Sequence, residues 1–302
     1  MRLHTRSFKA MGGPCELRLY APDAACAERC SGAAQAEILR LEQRYSRYRE
    51  DSLTTRINRS AGDGRGVEVE EEDAALLDYA HTAWAQSGGL FDITSGVLRR
   101  VWDFKSRRLP SAGEVARVLP LVGWERVRWQ RPRIALPLAG MELDFGGYVK
   151  EYAADRAAQA ARAAGARHGF VELAGDIAVI GPHPDGAPWQ VGIRHPRAPE
   201  RAMAAIPLAQ GAIASSGDYE RYFELDGRRY CHVLNPKTGW PVEGLASVSV
   251  VAQQCLVAGT ASTVAMLKGP VEGPAWLRAL GLRYLCMDAQ GRLDGTLERA
   301  AD

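Results

Sequence analysis

The sequence predicts an α+β fold, with mixed, largely antiparallel sheets and flanking helices. One observation predicts it, and two features of composition bound it. Helical stretches alternate with hairpin-like strand pairs, not with the regular parallel strands of a doubly wound sheet. Hydrophobic residues make up 46% and charged residues 25% of the 302 residues, enough to bury a large core without disulfide staples. The 31 Gly and 16 Pro follow no fixed period, which excludes collagen-like or low-complexity structure. No composition shift divides the chain, so residues 1–302 are expected to form one catalytic unit.

The elements follow in order. Residues 15–20 alternate weakly and read as an opening strand. Asp23 is placed to cap a helix to about Tyr45, with Ile38, Leu39 and Leu41 on its apolar side. Residues 58–66 (NRSAGDGRG) read as loop. Their glycines miss the dinucleotide-binding spacing, and no strand precedes them. A helix is expected from about Asp73 to Ser87, stopped by Gly88-Gly89. A basic linker follows Phe104, then a short helix near 112–119, then strands with a Pro-rich break over 126–145. An Ala-rich helix spans Tyr148 to Ala164. Strands are expected at 169–173, 176–180 and 189–194. Asp226-Gly227 signals a hairpin between RYFEL and RRYCHVL. Residues 246–252 read as a buried strand, 256–268 as a helix ending at Gly269, and 274–280 with 282–287 as a closing helix and strand.

Charge narrows the function classes. With 38 basic and 36 acidic residues the net charge is +2, which lacks the basic excess of a general nucleic-acid binder. An anionic small molecule needs only a local pocket. No apolar run reaches the ~18 residues of a membrane span. The first twenty residues carry no apolar signal-peptide core, so the expected location is cytoplasmic, or periplasmic if a leader has been removed. Six cysteines form no CxxC, and Cys26 and Cys30 share a helix face without a neighbouring His, which favours packing over zinc.

The common catalytic signatures (GxxxxGK[ST], HExxH, GxSxG) are absent. Polar residues instead stand beside glycines at element ends. Gly88-Gly89-Leu90-Phe91-Asp92 lets backbone approach a ligand, with Asp92 and Thr94 on one side of an extended segment; a plain helix stop explains it equally well. Asp144-Phe145-Gly146-Gly147 leads into a helix whose first turn, carrying Lys150, suits an anion; an ordinary strand-helix turn reads the same. Asp176 reads first as a turn residue. His232 ends a strand just before a Pro-Lys-Thr-Gly turn, where a His is either structural or a general base. Thr260, Ser262 and Thr263 open a helix as caps or as ligands for a hard cation.

Taken in order, these segments resemble the ApbE-type flavin transferases over about Phe8 to Gly269. Further matches are Met11-Gly12, Tyr45-Ser46-Arg47-Tyr48, Ser52, Asn58, Trp102, Tyr152, Asp155 and Gly175. The most specific block is Ser216-Gly217-Asp218-Tyr219 with His232, Pro236, Thr238 and Gly239. The resemblance implies an ApbE or T-fold-like arrangement and transfer of FMN from FAD to a Thr or Ser of an acceptor flavoprotein, with release of AMP. It implies that Met11, Tyr48, Leu90, Phe91, Asp92, Asp144, Lys150, Ser216, Gly217 and Leu234 bind FAD. It implies that His232 takes the acceptor's proton. Magnesium would be held by a main-chain carbonyl near Gly147 and by Thr263. Three positions depart from the family pattern. Gly259 replaces an Asp of the metal segment, Glu151 replaces a Gly after Lys150, and Ala174 replaces the first Gly of a Gly-Gly-Asp turn. Gly259 motivates an alternative reading, an FAD-binding module or slow FAD pyrophosphatase without protein flavinylation.

Overall fold

The structure is a computed structural model and describes residues 1–297. In chain order the strands are β1 (Arg2–Ala10), β2 (Gly13–Ala21), β3 (Val67–Glu68), β4 (Arg128–Gln130), β5 (Arg133–Ala135), β6 (Gly169–Leu173), β7 (Asp176–Gly181), β8 (Trp189–Arg194), β9 (Ala202–Leu208), β10 (Ala212–Gly217), β11 (Tyr222–Leu225), β12 (Arg228–Cys231), β13 (Leu245–Ala252), β14 (Arg283–Asp288) and β15 (Leu293–Gly295). The helices are α1 (Ala24–Tyr45), α2 (Leu53–Arg59), α3 (Glu71–Gln86), α4 (Ala112–Val118), α5 (Val149–Ala163) and α6 (Cys255–Ala279).

One eight-stranded sheet, ordered β1-β2-β6-β7-β10-β13-β14-β15, organises the molecule, and its neighbouring strands run antiparallel. Side chains alternate between its faces. Val171, Ala178, Ala214, Val248 and Cys286 join the core beneath α1, α5 and α6. Phe170, Ile177, Val179, Ile213 and Leu285 point the other way and pack on the β8-β9 hairpin through Trp189, Val191, Ile193 and Ile206. A third, smaller core gathers Val97, Leu98, Trp102, Val115, Phe223 and Tyr230. Trp102 is its hub, stacked on Phe104 at 5.8 Å and edge-on to Trp240 at 5.3 Å between ring centroids.

Local chemistry explains the helix starts. Asp23 caps α1 by accepting from the Cys26 amide at 2.8 Å, and Ser52 caps α2 by accepting from Thr55. Ser111 and Glu114 form a capping box at α4. Each such cap contributes about 1 kcal/mol. α1 buries Ala27, Cys30, Ala34, Ile38, Leu41 and Tyr45, a stripe at helical spacing. Cys30 of the expected packed face is buried, and Cys26 partly so.

Several expectations need correction. β1 escapes the sequence reading because it is an edge strand, mostly exposed and held by its ladder to β2. β9, β10 and the seven-residue α2 are likewise unread. Within 126–145 only β4 and β5 are strands. The segment after Asp92 is not extended: Ile93–Arg100 is a 3-10 helix with Asp92 as its cap. The two expected C-terminal helices form α6, broken at Gly269 where φ is 81°. Thr260, Ser262 and Thr263 do not open α6 as caps but lie beyond its first turn. Its first amides bond instead to Asp155, at 2.8 Å from Cys255 and 2.9 Å from Leu256. Among the described residues no helix is long and apolar enough to cross a membrane.

Candidate active site

The site lies at one end of the large sheet. Two hairpin turns meet there. Met11-Gly12 joins β1 to β2, and Ala174-Gly175 joins β6 to β7. All four residues have positive φ, which matches the right-handed twist of the strands. Ala174 adopts this conformation despite its Cβ, at a cost of about 1 kcal/mol. The two turns adjoin, since a Cβ on Gly13 would lie 2.8 Å from that of Ala174. The Met11 amide is anchored on Glu42 at 2.6 Å.

The first turn of α5 and the early turns of α6 cover this end. Lys150 pairs with Asp176, and its Nζ lies 3.0 Å from Glu151. Asp176 also accepts from the Ser215 amide at 3.0 Å, so it is a site anchor rather than only a turn residue. Ser216 Oγ lies 2.8 Å from Ser262 Oγ and 3.0 Å from Thr263 Oγ1. Burial alone would lower the Lys150 pKa, but Glu151 and Asp176 outweigh it and hold the ammonium charged. Glu151, by contrast, is pushed toward its neutral form. Burial raises its pKa, Asp176 adds to that, and Lys150 opposes it. Its Oε2 is buried without a hydrogen-bond partner. Gly259 faces it closely: a Cβ there would lie 2.4 Å from Glu151 Cγ and 2.9 Å from Cδ.

A second set leads outward. Asp144 caps the 3-10 turn Phe145–Gly147 by accepting from Gly146 at 2.9 Å, and it pairs with Arg47. Arg47 donates to the Tyr48 hydroxyl at 2.9 Å and lies over its ring. The Tyr48 ring is 80% exposed, so it is free to stack on a planar ligand. The Asp144 amide donates to the Ile93 carbonyl at 2.8 Å, which ties this turn to the Gly88–Asp92 loop. Asp92 itself is buried and fully committed. It accepts from the Thr94 amide at 2.8 Å, the Thr94 hydroxyl at 2.6 Å and the Trp124 amide at 2.9 Å. Burial raises its pKa against these bonds. Asp92 therefore positions Phe91 and Leu90. Phe91 is buried edge-on to Tyr148.

His232 approaches from the third core. The chain leaves the sheet end at Gly217, forms the β11-β12 hairpin and returns at β13. Asp218 holds this excursion by pairing with Arg197 and Arg229. Gly217 must be glycine, since a Cβ would fall 2.1 Å from the Tyr219 ring. His232 follows β12, flanked by Val233 on the main core and Leu234 on the third core. Its Nδ1 is buried without a partner. Burial first, then Arg221, depress its pKa to about 4, so the ring is neutral at pH 7. Leu234 bridges to Pro241, and Trp102 donates to the Gly239 carbonyl at 2.7 Å, which shapes the Pro-Lys-Thr-Gly turn. Lys237 of that turn reaches the Gly89 loop, 3.7 Å from where a Cβ on Gly89 would stand.

Arg47 thus links Tyr48 to Asp144, and Asp176 links Lys150 to the strand that carries Ser216, which meets Thr263, while His232 and Leu234 come from a separate core. The Asp176 anchor was undervalued in sequence because an acid after Ala-Gly looks like any turn. Cys15 and Cys231 are buried with raised pKa values, so both thiols stay protonated and inert. A surface pocket of about 540 Å³, with Glu37, Arg40, Glu72, Tyr152 and Arg156 in its lining, holds none of these residues.

Among the described residues no three His, Cys, Asp or Glu side chains form a ready-made metal cage. Hard oxygen donors are nevertheless at hand: the Thr263 hydroxyl, the backbone of the exposed Gly147 and the orphaned Glu151 Oε2. Donors of this type suit magnesium, which takes one or two carboxylates and fills its remaining positions from phosphate and water.

Comparison with known proteins shows the family and the fold. A model of the ApbE family matches residues 11–286. The chain is 30% identical to an FAD:protein FMN transferase of Klebsiella pneumoniae, over 92% of this chain and 86% of that protein. It is 28% identical to one of Haemophilus influenzae, over 79% and 72%. Among solved structures it is similar to the ApbE protein of Thermotoga maritima, with a TM-score of 0.90, 30% identity and coverage of 98% and 97%. It is also similar to the apo form of the flavinyl transferase ApbE of Pseudomonas stutzeri, with a TM-score of 0.85, 29% identity and coverage of 98% and 94%.

Proposed function

This chain belongs to the ApbE family, and on that premise we propose that it is an FAD:protein FMN transferase. It joins the FMN half of FAD to a Thr or Ser hydroxyl of an acceptor flavoprotein and releases AMP. The hydroxyl oxygen forms a bond to the FMN-side phosphorus, the bond from that phosphorus to the bridging oxygen breaks, and AMP leaves with that oxygen. The hydroxyl proton passes to His232.

The observation that carries this reading is a division of labour. A neutral His232 with an unpartnered ring nitrogen stands apart from a charged pole at Lys150, Asp176 and Ser216. Phosphoryl transfer needs this pair of functions, charge neutralisation and a positioned proton acceptor. Tyr48, Met11, Leu90, Phe91 and Leu234 supply stacking and apolar surface for the flavin nucleotide. Lys150, Ser216 and Gly217 face its phosphates, and Asp92 and Asp144 act by holding their loops. Magnesium, held by Thr263 and a carbonyl near Gly147, would neutralise charge on the pyrophosphate when bound. The flavin-module alternative rests on Gly259 alone, and the nearness of Glu151 to that position weakens it.

The test is incubation with FAD, magnesium and an acceptor protein bearing an accessible Thr. The expected product is flavin fluorescence that stays with the acceptor through denaturing electrophoresis, with one AMP per flavin. AMP release without a labelled acceptor would move the reading to a hydrolase.

A further inference from the structure

We propose that Glu151 supplies, from α5, the metal-binding carboxylate that the family pattern places at position 259 of α6, and that Gly259 is glycine to make room for it. The proposal rests on the transferase reading for its metal and deepens that reading for this chain's own residues.

Geometry carries the argument. A Cβ on Gly259 would lie 2.4 Å from Glu151 Cγ, 2.9 Å from Cδ and 3.2 Å from Oε1. The Glu151 side chain therefore occupies the volume into which a residue at 259 would project. Thr263 lies one helical turn after Gly259, and helical side chains lean toward the N-terminus. Thr263 is thus directed toward the space that Glu151 fills. One helix contributes the hydroxyl and its neighbour the carboxylate, where the family pattern draws both from one helix.

Charge and hydrogen bonding point the same way. The cluster holds one cation, Lys150, against two carboxyl groups, Asp176 and Glu151. Asp176 is satisfied by Lys150 and the Ser215 amide. Glu151 is not. Its side chain is 10% exposed, Oε1 faces Lys150 at 3.0 Å, and Oε2 is buried with no partner. A buried carboxylate oxygen without a donor is costly, and a cation beside it removes that cost. Position 151 is usually glycine in the family pattern and position 259 usually Asp. The two departures are one exchange across the α5-α6 contact.

The test titrates Mn²⁺ into the full chain, with and without saturating FAD, and follows free Mn²⁺ by electron paramagnetic resonance. FAD affinity is measured separately by flavin fluorescence, and folding by thermal melting. Glu151→Gln should weaken Mn²⁺ binding at least about tenfold. The double variant Glu151→Gly with Gly259→Asp should restore it to within a few-fold. Gly259→Asp alone should lower the melting temperature, because both side chains claim one volume. Mn²⁺ binding that is unchanged in Glu151→Gln, or absent in the parent while FAD binds, would overturn the proposal and leave the transferase reading standing. Loss of FAD binding in the parent would instead overturn that reading, with the Mn²⁺ comparison still deciding the role of Glu151. Failure of a folded double variant to recover Mn²⁺ would also overturn the exchange.

Discussion

Lys150 and His232, the two poles of the proposed reaction, stand in surroundings built in opposite ways. Lys150 is surrounded by partners: Asp176, Glu151 and, through Asp176, the Ser215 amide. His232 is held by apolar neighbours on two cores, and its Nδ1 is left unpaired. The first arrangement keeps a charge fixed whether or not a ligand is present. The second keeps a nitrogen free for a proton that arrives only during reaction. Changes at the first pole should therefore strike folding and binding together, and changes at the second should strike turnover far more than FAD affinity.

The largest expected effect tests that separation. His232→Ala should lower transfer by roughly 10²- to 10⁴-fold, the span of general-base catalysis, with FAD affinity changed less than about threefold. Equal losses in both would erase the contrast between the poles. Lys150→Met should come next. It leaves two acids facing each other without a counter-charge, and chemical denaturation should show a loss of about 3 kcal/mol along with FAD affinity.

Asp92→Asn sharpens the picture of the loops. Its three accepted hydrogen bonds, from Thr94 and the Trp124 amide, hold the start of the 3-10 turn that follows the Gly89–Phe91 segment. Stability should fall by about 1–2 kcal/mol, and FAD affinity should fall with it. A loss of FAD affinity at unchanged stability would mean that Asp92 touches the ligand directly. Tyr48→Ala, on an exposed ring, should cost about 1 kcal/mol of FAD binding and leave the melting temperature unchanged.

The smallest effect is a pH slope. The folded pKa of His232 lies at about 4, below the ordinary 6.5. Between those values the unfolded chain takes up a proton that the folded chain refuses, so stability falls as pH drops through this window. His232→Gln should flatten that part of the stability profile. An unchanged slope would place the acid sensitivity at another group.

Much of this was legible in the sequence. Asp23, the Tyr148–Ala164 helix and the Asp226-Gly227 hairpin announce themselves through caps, Ala content and turn chemistry, all of which are local. The ordered motifs likewise pointed to His232 and Lys150. β1 was missed because pairing with β2, not its own pattern, makes it a strand. The hydrogen bond to Asp92 from the Trp124 amide was not legible, because that amide reaches it only in the folded chain.

Residue order alone determined the α+β class and the family, because short-range propensity and motif spacing are written along the chain. Tertiary structure alone decided which acids serve the charged pole. Glu151 and Gly259 are 108 positions apart in sequence, and only the packing of α5 on α6 shows that they share one volume. Asp176 and Lys150 meet for the same reason. Electrostatics and steric exclusion act through space, so their meaning appears only when the chain has closed on itself.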